Sequence, residues 1–321
     1  MEETTNTAGG SGIKYLISHA PHAWKGESVS RIMWLVIAAL LFPTAAGIYY
    51  FGFNAIGVII VSVLFAVGTE WVCKHMRGKP FIMDGSAVVT GLLLALIMPP
   101  TIPLWMVAVG AIFSIGIAKE VFGGLGYNVF NPALAGRAFM MVCFAQPLTT
   151  WVAPTFFGAD AVTTATPLNE NFIIPPEKAA FYWDLFIGNI GGSIGETSFL
   201  LCLLGGIVLL AFKIIDWHIP VAFFGAVMIV AFLFGQDPVV HLLSGGLALG
   251  AFFMATDYAT SPLTMRGRLL FGAGCGILTV LIRQLGGMPE GVCFSILLMN
   301  SLTPLIDRHL QPKPFGSVKK A

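Results

Sequence analysis

Charge is scarce in this chain. Asp, Glu, Lys and Arg make up 10% of its 321 residues, hydrophobic residues 56%, and the mean hydropathy is +0.85. A soluble domain carries about 25% charged residues, so a water-solvated globular fold is excluded and lipid becomes the solvent of most of the chain. Backbone exposed to lipid cannot leave its polar groups unpaired, which restricts the spans to helices or a closed barrel. The apolar runs are continuous rather than alternating, and that excludes the barrel. Cysteine is scarce as well. Cys73, Cys143, Cys202, Cys275 and Cys293 are odd in number and lie mostly inside apolar runs without any CxxC spacing. They read as small buried hydrophobes, not as a metal site or a disulfide framework. His19, His22, His75, His218, His241 and His309 are dispersed without paired spacing, so no metal is expected. A net charge of +1 gives no ground for a nucleic-acid partner. Met1–Ser30 lacks an apolar h-region, and no cleavable signal peptide is expected there.

What the chain has in abundance is apolar runs. About ten spans can be drawn with a window of roughly 20 residues. They lie near 31–51, 55–73, 86–100, 102–121, 131–152, 198–214, 218–235, 239–256, 267–287 and 291–308. The third is short and ends in Pro99-Pro100, as a broken or half-spanning helix would. If the N-terminus is cytoplasmic, all of the 17 basic residues except Arg137, Lys178 and Arg283 fall on the inside. That distribution satisfies the positive-inside rule and puts both termini in the cytoplasm. The resulting partition is a cytoplasmic segment 1–30, a first five-helix half 31–152, an external loop 153–197, a second half 198–310 and a cytoplasmic tail 311–321. Five spans per half is odd, so any repeat would be inverted across the membrane. Gly91–Met98 running into Pro99-Pro100 and Gly246–Met254 running into Thr256-Asp257 suggest such a repeat, built on interrupted helices. The expected fold is thus an all-α polytopic membrane protein with about ten transmembrane helices in two inverted five-helix repeats.

Several residues could carry chemistry. The external loop contains Asp160-Ala161-Val162-Thr163-Thr164-Ala165-Thr166-Pro167, a threonine run opened by an acid and stopped by proline. A threonine hydroxyl is a poor nucleophile unless activated, and Pro167 keeps the stretch from continuing as a helix. Spacing alone fits an ordinary Thr-rich loop equally well. Arg137 lies within an apolar run just after Asn131-Pro132; it can bond carbonyls freed by the proline or hold an anionic partner. Asn128 and Asn131 can hydrogen-bond a ligand edge, or Asn131 can cap the helix that Pro132 opens. Asp257, Glu120 and Asp84 stand near span ends and are the candidates for an ion pathway, Asp257 first because it ends a span at a suspected break. Glu120 beside Lys119 is expected to form an interfacial pair. Gly191-Gly192-Ser193-Ile194-Gly195-Glu196 has neither the preceding strand nor the βαβ unit that NAD binding needs.

The loop stretch resembles the flavin-attachment motif Asp-x-x-Ser/Thr-Gly-Ala-Thr, matching at Asp160, Thr163, Ala165 and Thr166, with Thr164 where glycine is usual. Gly126-Tyr127-Asn128-Val129-Phe130-Asn131-Pro132-Ala133-Leu134-Ala135-Gly136-Arg137-Ala138-Phe139 is similar to a signature of the NqrB/RnfD family. So are Gly192–Ser198, Met254-Ala255-Thr256-Asp257 and Pro21-His22, in order along nearly the whole chain, and the length fits the RnfD branch better than the longer NqrB. The resemblance implies FMN joined by a phosphoester to Thr166 by an external flavin transferase. It implies a second, non-covalent flavin (riboflavin or FMN) within the bundle, with Asn128, Asn131 and Arg137 as candidate contacts. It implies a fold like that of urea and ammonium channels. It further implies membership of an Rnf-type ferredoxin:NAD oxidoreductase with subunits A, B, C, E and G, coupled to Na+ or H+ in the cytoplasmic (inner) membrane. The competing readings are a non-redox inverted-repeat transporter or channel, and a membrane anchor whose loop only docks partners.

Overall fold

A computed structural model describes residues 28–154, 156, 163–164, 166–168, 175, 177–286 and 291–310. Among the described residues the chain is helical, and its one β feature is an isolated antiparallel bridge between Val152 and Thr163. The order is α1 (Val29–Met76), α2 (Ser86–Leu96), α3 (Leu104–Ile112), α4 (Pro132–Cys143), α5 (Ala145–Leu148), α6 (Lys178–Ile187), α7 (Phe199–Ala211), α8 (His218–Leu233), α9 (Pro238–Leu243), α10 (Leu247–Leu249), α11 (Met265–Leu285) and α12 (Val292–His309). Two of these continue as wider π-helical turns, α3 through Phe113–Glu120 and α10 through Gly250–Met254.

The starts of these helices follow from local chemistry. Side chains of Ser28, Asn131, Ser198, Asp237 and Thr264 each accept a backbone N–H in the first turn of α1, α4, α7, α9 and α11. Those residue types satisfy the amides that a helix start leaves unpaired, and Pro132 and Pro238 occupy the first-turn position where proline costs nothing. The 48 residues of α1 are two limbs, because Gly52 adopts φ 60° and ψ −137°, a conformation open to glycine. Gly85 then packs on Met33 and Ile37, so the second limb returns the chain to the end where the first began.

The core is built from the short elements. In α2, residues 90–96 are all buried, and so is the stretch 247–256 through α10 and its π-helical turn. Longer helices surround them: α1 packs on α2, α3 and α7, α8 on α11, and α12 on α11 and α4. The surface is inverted relative to a soluble protein. Phe53, Val142, Leu233 and Leu285 are exposed, while Glu70, Lys119, Glu120, Arg137 and Arg283 are buried. By length and composition α1 and α11 are apolar enough to cross a membrane, and α2, α4, α7 and α8 are shorter apolar helices.

Three expected spans come out differently. The one near 86–100 stops at Leu96, ahead of the diproline. The one near 131–152 stops at Cys143, and past it the hydroxyls of Thr149 and Thr150 turn back onto the carbonyls of Ala145 and Gln146. The one near 239–256 is divided at Ser244-Gly245-Gly246, where both glycines are left-handed (φ 68° each), and its second piece ends at Met254, just before Thr256-Asp257.

Close approach between helices depends on glycine. A Cβ at Gly276 of α11 would lie 2.6 Å from Ala226 Cβ and 2.7 Å from the Phe223 carbonyl of α8, and Gly272, one turn earlier, meets the Ile219 carbonyl at 2.6 Å. This small-xxx-small spacing lets two backbones touch. Gly276→Val is expected to force α8 and α11 apart at a cost of about 1–3 kcal/mol. Gly68→Ala, where nothing lies within 4 Å of the new Cβ, is expected to be neutral or stabilising. Thermal unfolding of the two variants in detergent checks the contrast.

Candidate functional site

Two clefts collect four of the predicted residues, Asn128, Asn131 and Asp257 in one and Thr166 in the other. The first is an inner cavity of about 100 Å³ that opens to the surface. That is below the usual size of a site for a drug-sized ligand. Its walls are apolar (Val36, Leu93, Phe252, Phe253), with Lys119, Asn128, Asn131 and Asp257 among its polar groups. Asn131 Oδ1 accepts the amides of Ala133 and Leu134 as the cap of α4, and its Nδ2 donates to the Met254 carbonyl at 3.2 Å. One side chain therefore ties the start of α4 to the end of the π-helical turn after α10. Asn128 Nδ2 donates to the Phe130 carbonyl and to Asp257 Oδ2, at 3.1 and 3.4 Å. Asp257 also accepts from Thr260 Oγ1 at 3.3 Å. Asn128 and Asn131 thus meet Asp257, distant in sequence, at one wall.

Arg137 does not join them. It is 1% exposed and points the other way, 4.0 Å from Glu196. It is not among the residues that line the first cavity, and its approach to Glu196 is a buried ion pair. Glu196 in turn lines the second cleft together with Thr166, Pro167, Gly191, Gly192, Thr197, Ser244 and Gly245. Thr166 is half-buried and its Oγ1 accepts the Leu168 amide at 3.4 Å, the hydroxyl-to-backbone turn that threonine commonly makes. Thr163 and Thr164 are exposed and anchored to 151–152, Thr163 by its bridge to Val152 and Thr164 by its amide to the Trp151 carbonyl at 3.0 Å. Thr164 fits because residue 191 is glycine; a Cβ there would overlap its hydroxyl. Asp160 and Ala165 lie outside the described residues. The buried hydroxyls of Thr197 and Ser244 face this cleft without a hydrogen-bond partner among the described residues. Unpaired buried hydroxyls are costly and mark a place where a polar ligand group would be held.

The glycine-rich stretch at 192–196 has a different use from nucleotide binding. Ile194 N donates to the Met98 carbonyl at 3.0 Å and Gly195 N to the Leu96 carbonyl at 2.7 Å, closing the open end of α2. Arg283 does the same for α9, with Nη1 on the His241 carbonyl at 2.7 Å and Nη2 on those of Ser244 and Gly245 at 3.0 and 3.4 Å. Along the sequence Arg283 stands out only as an exception to the charge rule. The usable signal was an arginine in the apolar α11 of a chain that must break elsewhere and leave carbonyls open.

Other predicted acids also find partners away from their sequence neighbours. Glu120 does not pair with its neighbour Lys119; it meets Arg77 at 3.1 Å. Lys119 turns to Glu70 at 2.8 Å and to Ser86 Oγ at 2.7 Å. Asp84 accepts both the amide and the hydroxyl of Ser86, at 2.9 and 2.6 Å. Burial opposes its charge, but these two bonds and the nearby Lys119 and Lys74 outweigh it and hold the carboxyl below its ordinary range. Asp84 therefore caps α2 and closes a network with Ser86, Lys119 and Glu70. Among the described residues no cluster of His, Cys, Asp and Glu could hold a metal.

A helical protein with an apolar exterior, inward charges and interrupted helices sealed from a distance is of the membrane type. Residues 16–316 match the family described as NQR2, RnfD, RnfE, and the chain belongs to that family. It is 48% identical over 322 residues to the D subunit of the proton-translocating ferredoxin:NAD(+) oxidoreductase complex of Clostridium ljungdahlii, covering 94% of this chain and 96% of that one. It is 44% identical over 315 residues to the Na(+)-translocating counterpart of Acetobacterium woodii, covering 96% and 97%. The D subunit of the ion-translocating oxidoreductase complex of Methanosarcina acetivorans is 38% identical over 306 residues, covering 95% and 98%.

Arg283→Leu is expected to leave the α9 carbonyls without donors and lower stability by about 1–3 kcal/mol for each one that water cannot reach. Arg283→Lys, with one compact charge in place of a planar fork, should recover only part of the loss. Unfolding midpoints of the purified variants read this directly.

Proposed function

We propose that this chain is the D-type membrane component of an ion-translocating ferredoxin:NAD+ oxidoreductase. It acts as part of a complex with subunits of the A, B, C, E and G types, passing electrons between ferredoxin and NAD+ while Na+ or H+ crosses the cytoplasmic membrane. Full-length identity to relatives that are named as the D subunits of such complexes supports this. The chain would carry FMN as a phosphoester on Thr166 and a second, non-covalent flavin within the bundle. The observation that carries the flavin reading is the second cleft: Thr166 stands at its rim, and the unpaired hydroxyls of Thr197 and Ser244 stand inside it.

A flavin supplies the electron-transfer chemistry through its own ring; the protein binds, orients and tunes it. Thr163 and Thr164, exposed beside Thr166, leave the segment open to a modifying transferase, with Asp160 as a recognition residue. The buried Arg137–Glu196 pair gives the cleft a rigid charged floor. At the inner cavity, Asn128 and Asp257 supply polar contacts, whereas Asn131 acts mainly by joining α4 to the second half. Asp257, with Glu120 and Asp84, remains the candidate for ion handling.

Both termini would be cytoplasmic and the loop at 153–197 extracytoplasmic, as the basic residues require. The two halves, 31–152 and 198–310, are read as inverted five-helix repeats with a channel-like architecture. Support comes from pairs that correspond in order: the first limb of α1 packs on α7, and α4 packs on α12. A transporter without redox chemistry could share such repeats but would need no threonine at an external cleft.

Wild-type protein made in a host with the flavin transferase should give a fluorescent band on a denaturing gel. The band should vanish in Thr166→Ala and persist in Thr163→Ala. A dark wild-type band beside an active transferase would sink the covalent-flavin reading and favour the transporter. In the assembled complex, Asp257→Asn should lower ion transport several-fold more than electron transfer; unchanged transport removes Asp257 from the ion path.

A further inference from the structure

The turn between α7 and α8, the loop before α11 and the first turn of α11 enclose a further cavity of about 180 Å³. Its charged lining is Lys213, Asp216 and Arg268, one positive charge in excess. Arg268 Nη1 donates to Asp216 and its Nε to the Pro262 carbonyl at 3.0 Å, so the aspartate is answered from within the wall. The rest of the five guanidinium N–H groups, and the ammonium of Lys213, have no partner among the described residues. Ser261, 8% exposed, lines the same cavity, and its hydroxyl is likewise without a partner among them. The Tyr258 hydroxyl is already committed to the Ile214 carbonyl. Unused donors and an uncompensated positive charge, one donor on a buried side chain, describe a seat for a small anion.

Lys213 stands where the backbone favours glycine. The chain leaves α7 through Lys213 N on the Leu210 carbonyl and Ile214 N on the Leu209 carbonyl, at 3.0 and 2.9 Å, with φ 55° at Lys213. It leaves α8 through the same two bonds, made by Gly235 and Gln236, and there the left-handed residue is glycine, with φ 71°. A side chain at this position carries a conformational cost that glycine avoids, so the ammonium has a use that outweighs it. Phe212, Trp217 and Tyr258 around the turn are exposed, as aromatic residues are where helices meet a membrane surface. The cavity is below the usual size of a site for a drug-sized ligand and suits one phosphate, with the rest of its molecule outside. We propose that it seats the headgroup of one anionic phospholipid. Lys213, the unused N–H groups of Arg268 and the Ser261 hydroxyl hold the phosphate, and the acyl chains lie in the bilayer beside Phe212 and Trp217. The site rests on the topology proposed above, which makes this end cytoplasmic, where basic pockets between helices meet anionic lipid, and it depends on neither flavin.

The test takes full-length protein in a neutral detergent and counts bound lipid by native mass spectrometry. Phosphatidylglycerol is titrated against phosphatidylcholine, which carries the same phosphate beside a cation, and against inorganic phosphate. Wild-type protein is expected to hold one phosphatidylglycerol at least about tenfold more tightly than phosphatidylcholine, a difference of the size one well-placed charge supplies. Lys213→Gly is expected to lose that preference while its thermal midpoint without lipid does not fall, since glycine suits the backbone better. Lys213→Arg should keep the preference. Equal hold on the two lipids in wild-type protein overturns the proposal, and so does a preference that survives Lys213→Gly. If Lys213→Gly lowers the midpoint, the preference in Lys213→Gln decides in the same way. Inorganic phosphate bound as tightly as phosphatidylglycerol, with both lost in Lys213→Gly, overturns the lipid and leaves a site for free phosphate. None of these outcomes moves with the fluorescent band on the denaturing gel, so the two readings fail separately.

Discussion

The constraint on which the rest depends is that a helix broken inside an apolar protein leaves carbonyls that water cannot reach. Two of the breaks here are sealed by distant parts of the chain. The amides of Ile194 and Gly195 close the end of α2, and the guanidinium of Arg283 closes the end of α9. In hydrocarbon an unpaired backbone group is expensive enough to exclude irregular structure except where protein covers it. The short buried elements can therefore exist only because the longer helices bring these caps to them. Near the sealed ends lies the second cleft, with Thr166, Glu196 and Ser244 around it.

Buried charge follows the same logic. Arg137 with Glu196, Lys119 with Glu70, and Arg77 with Glu120 each place opposite charges close together. Removing one partner would strand a charge, whereas replacing both by apolar residues would cost little, so such pairs are weak as stabilisers and informative as markers. Two of the three stand at clefts: Glu196 at the second and Lys119 at the first. Asn131 adds the mechanical link, because a single side chain caps α4 and holds the Met254 carbonyl of the second half. A change at either end of that contact is transmitted between helices that are distant in sequence.

Much of the architecture is legible in the residues alone. Continuous apolar runs and scarce charge imply an all-helical chain, and Ser28, Asn131, Ser198, Asp237 and Thr264 mark helix starts by residue type. Pro99-Pro100 announces the short α2. The end before Thr256-Asp257 is legible too, but a window over 239–256 sees one hydrophobic run and misses the further break where Gly245 and Gly246 turn left-handed. The partners of charged residues are misread for a related reason. Adjacency suggests Lys119 with Glu120, but neighbours on a helix point in different directions, and each side chain finds its partner on another helix.

By itself the sequence determined the solvent, the helical class, the family signature and the hydroxyl at position 166, because composition and short motifs are local properties. Only the tertiary structure decided which residues share a cleft. It separated Arg137 from Asn128, gave the glycine stretch at 192–196 the task of capping α2, and turned Lys119 inward toward Glu70. The physical reason is that buried polar groups must be paired, and the partner of each is chosen by packing between distant helices, which no spacing along one chain records.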